Sequence, residues 1–480
     1  MRKFFTIVVL LILWASASSA FQTTGKMPIT TSSEKAREYY QKGLDFSDKL
    51  RGFDSLEYFQ KAATEDPQMA LAFLNIAINA PTNKEFFENL DRAASLSAKA
   101  SDGERMWIEA VKAGASGQPA KQIEIYQKLV AAYPADERAH LLLGGSYFGV
   151  QDWNHAIVEY EKSVAINPKF SPPYNQMGYA YRFLEKYPQA EKAFKTYIEL
   201  IPDDPNPYDS YAELLMRIGR FDESIIQYRK ALEVDPHFIN SHWGIAANYN
   251  FKGEYDKAMN ELNATLNSSR NDGERRATLF SMSVSYSAKH DWVKAVEQQQ
   301  NSYNVAKKTN DVGAMAADLF VMGTILIESG RPDEAKEKFD LSEKLVADSN
   351  LSNDVKENAQ RNHLFNLATV ALAKKDLSTT KKLLAEFTKA ANAAKNRFLI
   401  WQTHELAGRI AFAEKDYKLA LTELNQSNLQ NPENLYRVAQ VYEAMGNQVK
   451  AKEMYKKVAD FNILNSLNCS FVQTDAKLKT

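Results

Sequence analysis

The chain has 480 residues, 45% apolar and 25% charged, a globular balance with ample material for a hydrophobic core. Its 59 basic and 60 acidic side chains nearly cancel, which excludes the basic footprint of a nucleic-acid binder and a polybasic membrane-surface role. Cys469 is the single cysteine, so there is no internal disulfide framework and packing alone must hold the fold.

The N-terminus begins with Arg2 and Lys3, runs apolar from Phe4 to Trp14, and places Ser18 and Ala20 where a signal peptidase cuts. The apolar run is shorter than the roughly 20 residues a membrane span needs. Residues 1–20 are therefore expected to be a cleavable signal peptide, with the mature chain exported to a periplasm or beyond the cell. Removing Arg2 and Lys3 takes the net charge to −3. In a eukaryotic source the same signal leads to the secretory lumen, and Asn263 and Asn267 open glycosylation sequons. Residues 21–33, rich in serine and threonine, are expected to form a flexible leader.

From residue 34 onward the sequence repeats. Pro134, Pro168, Pro202 and Pro236 are each 34 residues apart. The three blocks between them carry Gly144, Tyr147, Ala156 and Tyr160, then Gly178, Tyr181, Ala190 and Phe194, then Ala212, Leu215, Ser224 and Tyr228, and a fourth block after Pro236, which has lost its closing proline, carries Ala246, Tyr249, Ala258 and Leu262. A small residue lets two helices approach closely, and an aromatic or leucine three residues on shares its helix face. A proline closes each of the first three blocks and is tolerated where the next helix needs no donor. Turns are marked by Gln151-Asp152-Trp153, Glu185-Lys186-Tyr187, Gly219-Arg220-Phe221 and Gly253-Glu254-Tyr255. Weaker copies precede these, and longer copies of roughly 40 residues follow at Tyr286/Ala295, Gly323/Ala335, Ala368/Thr380 and Gly408/Ala420, with a shorter last one at Ala439/Ala451. Residues 350–360 lose the pattern and are expected to form a longer loop.

These blocks resemble tetratricopeptide repeats in period and pattern. The resemblance implies an all-α fold, a right-handed α-solenoid of about twelve stacked antiparallel helix pairs. The arrangement expected is an N-terminal array over 34–270, most regular over 137–270, a C-terminal array of longer repeats over 271–460, and a capping helix and tail over 461–480. Phe471 and Val472 would cover the last layer, with Cys469 a small apolar residue of that cap. A solenoid of this length should pass through more than one superhelical turn, with 267–274 as a candidate hinge.

No HExxH, phosphate-binding glycine-lysine loop or GxSxG elbow is present, and His237 and His242 are spaced wrongly for one helical face. The glycine-rich GGSYFG at 144–149 is explained by close helix packing. No metal, cofactor or catalytic residue is assigned, and the reading is non-enzymatic.

In the resembled family the first helix of each pair lines the inner groove. The matching positions here are Asn175, Tyr179, Arg182 and Phe183, then Asn206, Asp209, Glu213, Met216 and Arg217, then Asn240, Trp243, Asn250 and Phe251, then Phe280, Val284 and Ser287. Aromatics and arginines are common interface anchors, so the expected partner contacts are Tyr179, Arg182, Phe183, Arg217, Trp243, Phe251 and Phe280, with Asn175, Asp209 and Glu213 beside them. Phe183, Phe251 and Phe280 also suit packing between helices, and Arg217 is placed to pair with Glu213. The subtype that clamps a C-terminal carboxylate needs lysines where this chain has Leu141 and Gly145, so a chaperone-tail clamp is not expected. The leading expectation is a scaffold for a protein or peptide partner. The alternative is a glycan or cell-wall polymer binder using Tyr179, Trp243 and Phe251.

Overall fold

The computed structural model describes residues 25–480, so the expected signal peptide and the first residues of the leader lie outside the described residues. All regular structure among the described residues is helical. The first seven pairs are α1 (Glu34–Ser47) with α2 (Gly52–Glu65), α3 (Ala70–Ile78) with α4 (Asn83–Leu96), α5 (Asp102–Ala115) with α6 (Pro119–Ala132), α7 (Glu137–Gly149) with α8 (Trp153–Ile166), α9 (Pro172–Phe183) with α10 (Tyr187–Leu200), α11 (Pro205–Arg217) with α12 (Phe221–Val234), and α13 (Ile239–Phe251) with α14 (Tyr255–Ser268). Five more follow: α15 (Asp272–Ala288) with α16 (Trp292–Lys308), α17 (Val312–Glu328) with α18 (Pro332–Ala347), α19 (Asn353–Ala373) with α20 (Leu377–Ala394), α21 (Arg397–Ala413) with α22 (Tyr417–Leu424), and α23 (Pro432–Ala444) with α24 (Gln448–Ala459). A single helix, α25 (Leu467–Leu478), ends the chain. Twelve pairs and a cap make the α-solenoid that the repeats predict.

The small residues do what their spacing requires. A Cβ added at Gly178 would lie 2.5 Å from the Phe194 ring, and one at Gly43 would lie 2.6 Å from Phe59. Gly144 meets Tyr160, Gly323 meets Phe339 and Gly408 meets Leu424 in the same way. Each partner sits 16 residues further on, so one rule sets the approach of the two helices in five pairs. The turn between paired helices takes a left-handed residue at Gln151, Glu185, Gly219 and Gly253, all within the turns that the sequence marks. Helices of 16 to 21 residues from α15 to α20 account for the longer period of the later copies.

The array coils back on itself. Arg270, before α15 in the eighth pair, covers the Phe53 ring of the first pair at 4.7 Å. Gly273 sits against the Pro81 carbonyl, and Gly313 of the ninth pair against Asn83 of the second. Asn396 Nδ2 donates to Gly117 O at 3.2 Å, and Arg397 donates to Val150 O at 2.9 Å, joining the eleventh pair to the third and fourth. Contacts recurring between pairs about seven apart mean that seven pairs complete one turn and the next turn rests on it.

Three sequence expectations change. Residues 25–33 of the leader are tied down rather than flexible. Met27 N–H donates to Asp136 Oδ2 at 2.7 Å, Thr30 N–H donates to Glu104 Oε1 at 2.8 Å, and Lys26 pairs with Glu137 at 2.6 Å. Carboxylates at the starts of α5 and α7 attract these donors, an interaction invisible to local composition. Residues 353–360 are helical, not loop, because α19 gains support from the turn beneath: Gln118 reaches Asp354, and Asn358 covers Gly117. The 267–274 stretch does not stand free as a hinge, since Arg270 and Gly273 are pinned on the first and second pairs.

Candidate functional site

Apart from Asn175, the expected groove residues fall into two groups. Tyr179, Arg182, Asp209 and Glu213 form a polar cluster buried within the wall. Arg182 pairs with Glu213 at 3.1 Å and covers the Tyr179 ring at 4.7 Å, while the Tyr179 hydroxyl donates to Glu213 at 3.1 Å. Ser241 donates to Asp209 at 2.7 Å, and burial with Glu213 nearby holds the Asp209 carboxyl well above its ordinary range. Arg182 is 5% exposed and Asp209 3%, so neither meets a partner in this arrangement. Glu213 takes Arg182 from the neighbouring helix instead of Arg217 from its own. Phe183 stacks on Trp153 at 4.5 Å, and the Trp243 indole donates to Thr278 at 3.0 Å.

The second group is covered by the end of the chain. The Arg217 guanidinium lies 4.2 Å from the Phe461 ring centroid and donates to Asp460 O at 3.2 Å. Phe251 stacks on Phe221, and its carbonyl accepts from Lys477 at 3.2 Å. Phe280 packs in the core that holds Phe471 and Val472. Helix α25 thus packs on α24, α23 and α15 and reaches α13 through Lys477, with Thr474 donating to Ala288 O, while the segment before it covers Arg217 of α11. Cys469 is buried in this cap, its thiol donating to Phe461 O and pushed up to about 11 by burial.

The open part of the first-helix face lies further toward the N-terminus. A cleft of about 510 Å³ is lined by α1, α3, α5, α7 and α9, with Pro119, Gln122 and Tyr126 of α6 at its side. The Arg138 guanidinium spans it to the Asp48 carboxylate with two hydrogen bonds, at 2.8 and 2.7 Å. Its floor is bare backbone. Gly145 and Gly149 lie one helical turn apart on α7, and an added Cβ at either would meet nothing within 4 Å. Close packing therefore explains only Gly144 of the GGSYFG stretch; the other two glycines make space. Trp107 and Asn175 also line the cleft, are 3% and 2% exposed, and leave Trp107 Nε1 and Asn175 Oδ1 without hydrogen-bond partners. Of the expected site residues, only Asn175 belongs to this cleft. The Gly-xxx-Gly spacing in α7 is the signal that could have located it.

Tetratricopeptide repeat models match residues 171–204, 206–238 and 433–460. Each match coincides with helix pairs of the solenoid. The chain carries tetratricopeptide repeats. It is 29% identical over 101 residues to the Hsp70-Hsp90 organizing protein 3 of Arabidopsis thaliana and 25% identical over 152 residues to the organizing protein 2 of the same plant. The Triticum aestivum organizing protein is 28% identical over 116 residues. These alignments cover 21%, 32% and 24% of this chain but only 18%, 25% and 20% of the relatives, so they share repeats rather than whole architecture. Among solved structures, MamA is 24% identical, with a TM-score of 0.28, covering 34% of this chain and 90% of that one. The Thermus thermophilus tetratricopeptide repeat protein TTC0263 is 20% identical, with a TM-score of 0.28, covering 47% and 98%.

Tetratricopeptide repeats point to a protein-interaction scaffold. Three of the seven histidines are spent on ties between paired helices. His140 pairs with Glu159 at 2.7 Å, His242 with Glu261 at 2.5 Å and His404 with Glu423 at 2.7 Å, each joining the two helices of one pair. Among the described residues no three metal-ligating side chains cluster, and no helix is long and apolar enough to cross a membrane.

Proposed function

We propose that this repeat protein is an exported, non-enzymatic scaffold that holds an extended peptide segment of a protein partner in the cleft over Gly145 and Gly149. The observation that carries this reading is the cleft's chemistry. Bare helix backbone at Gly145 and Gly149 gives room for close approach, and Ile78, Leu141 and Leu142 supply apolar walls. A preformed cleft also lowers the ordering cost of binding. Export rests on the N-terminal pattern of Arg2, Lys3, the apolar run and Ala20.

The likeness to chaperone organizing proteins is not extended to chaperone tails here. Leu141 and Gly145 sit in the cleft where that clamp needs lysines. The glycan alternative at Tyr179, Trp243 and Phe251 loses support, because these rings are engaged with Arg182, Thr278 and Phe221.

A displayed-peptide library selected on the full mature chain tests the reading, with affinities compared between wild type and Gly145→Phe. Phenylalanine there fills the cleft without touching the core, so at least a tenfold loss of affinity is expected with the helical circular dichroism unchanged. Equal affinity in both proteins, or no selected peptide, refutes the cleft. For export, the protein recovered from its source should begin at Phe21; an intact Met1 on a cytosolic protein refutes that part.

A further inference from the structure

The upper turn of the superhelix carries a second cavity, of about 470 Å³, where the N-terminal halves of α19 and α21 meet the loops before α23 and α25. Eight of its fifteen lining residues are asparagine or glutamine, and Glu405 is the only charged one, so a charged ligand finds no free counter-charge. The Glu405 carboxylate is already engaged by Arg437 at 3.1 Å and Asn434 at 3.2 Å. Some of the amides are structural. Asn396 joins the turns through Gly117, and Asn468 donates to Asn431. Four others, Asn358, Asn362, Gln402 and Gln430, line the cavity with no side-chain hydrogen bond within the described chain. Asn358 and Asn362 lie one turn apart on α19, so both fall on one face. Beside them stand Phe398 and Trp401, in edge contact at 5.3 Å.

We propose that this cavity binds a neutral oligosaccharide. Each carboxamide offers a donor and an acceptor from one planar group, which matches vicinal hydroxyls that each donate and accept. Arg397 covers one face of Trp401 at 4.4 Å, and the Phe398 ring beside it supplies the apolar surface for the C–H face of a pyranose ring. A peptide fits less well. Its affinity depends on side-chain anchors in apolar pockets, and this lining is mainly polar. The loop carrying Ile463 and Ser466 also walls the cavity, leaving a short site rather than a through-groove. The site is separate from the proposed peptide cleft, from which the contact of Arg397 with Val150 divides it.

The test is calorimetric titration of the full mature chain with cello-, xylo-, malto-, manno- and chito-oligosaccharides of four to six units. At least one series should bind, and Asn362→Asp and Gln402→Glu should each weaken it at least tenfold, since a carboxylate keeps the shape but loses the donors. Gly145→Phe should leave this binding unchanged. Circular dichroism of both near-isosteric variants guards against unfolding. Absence of binding by every series at millimolar concentration overturns the proposal, as does binding insensitive to both variants. A neutral, uncharged-side-chain peptide that binds and is lost in Asn362→Asp while all saccharides fail also overturns it.

Discussion

Gly144 and Gly145 are neighbours on α7 with opposite surroundings, and alanine at each separates packing from propensity. In a helix interior, glycine to alanine gains about 1 kcal/mol of backbone entropy and helix propensity. At Gly145 nothing lies within 4 Å of the new Cβ, so the gain should appear in full. At Gly144 the Cβ would stand 2.7 Å from Tyr160 Cδ1 and closer still to Cε1, and Tyr160 is fully buried. Relieving that overlap moves an aromatic ring within a packed layer, an overpacking cost near the upper end of about 1–3 kcal/mol. The net expectation is Gly145→Ala more stable by about 1 kcal/mol and Gly144→Ala less stable by about 2 kcal/mol. Urea unfolding followed by circular dichroism measures the gap of about 3 kcal/mol. Two variants within about 1 kcal/mol of each other, or a destabilised Gly145→Ala, refute the assignment of Gly144 to packing and Gly145 to the cleft.

Buried tyrosines give a second contrast. Tyr160 has no partner for its hydroxyl, so Tyr160→Phe should leave stability unchanged or raised, whereas Tyr197→Phe orphans the Asn206 amide that donates to it at 2.7 Å and should cost about 1–3 kcal/mol, both read by urea midpoint. The Cys469 thiol, pushed up to about 11 by burial, should resist a thiol reagent at pH 8 in the native chain and react at once in denaturant. Glu433 is pushed up to about 7 by burial, opposed by Arg437 and Arg409 and assisted by Glu328 and Glu405. A carboxyl with a raised folded value holds a proton that the unfolded chain has released, so stability should fall as pH rises from about 4.5 to about 7. Glu433→Gln should remove a slope on the order of 1–3 kcal/mol across that window; identical pH profiles for wild type and variant would contradict it.

Much of the fold was legible because its rule is local. Gly178 and Phe194, or Gly144 and Tyr160, lie within one repeat, and their spacing alone dictates the helix pair. The terminal cap was legible for the same reason, since Phe471 and Val472 are apolar in a polar tail. What was not legible depends on residues brought together by coiling. No local pattern places Arg217 on Phe461, Lys477 on the Phe251 carbonyl or Asp136 on Met27, more than a hundred residues apart in each case. The expected site suffered most. Family positions select Arg182 and Asp209 as groove residues, but the neighbouring helices close over them. The cleft itself is announced by absent side chains at Gly145 and Gly149, which a search for anchors passes over.

The seam between turns changes what kind of object the array is. An open solenoid behaves as a row of units that each feel only their neighbours, so it can fray from either end and stretch like a spring. Here Arg397 on Val150, Asn396 on Gly117 and Arg270 on Phe53 tie units seven or eight apart. Pulled at its ends, such a coil resists like a riveted tube. Extension has to shear the seam before any helix pair can unwind, and a single lost rivet is shared among those that remain.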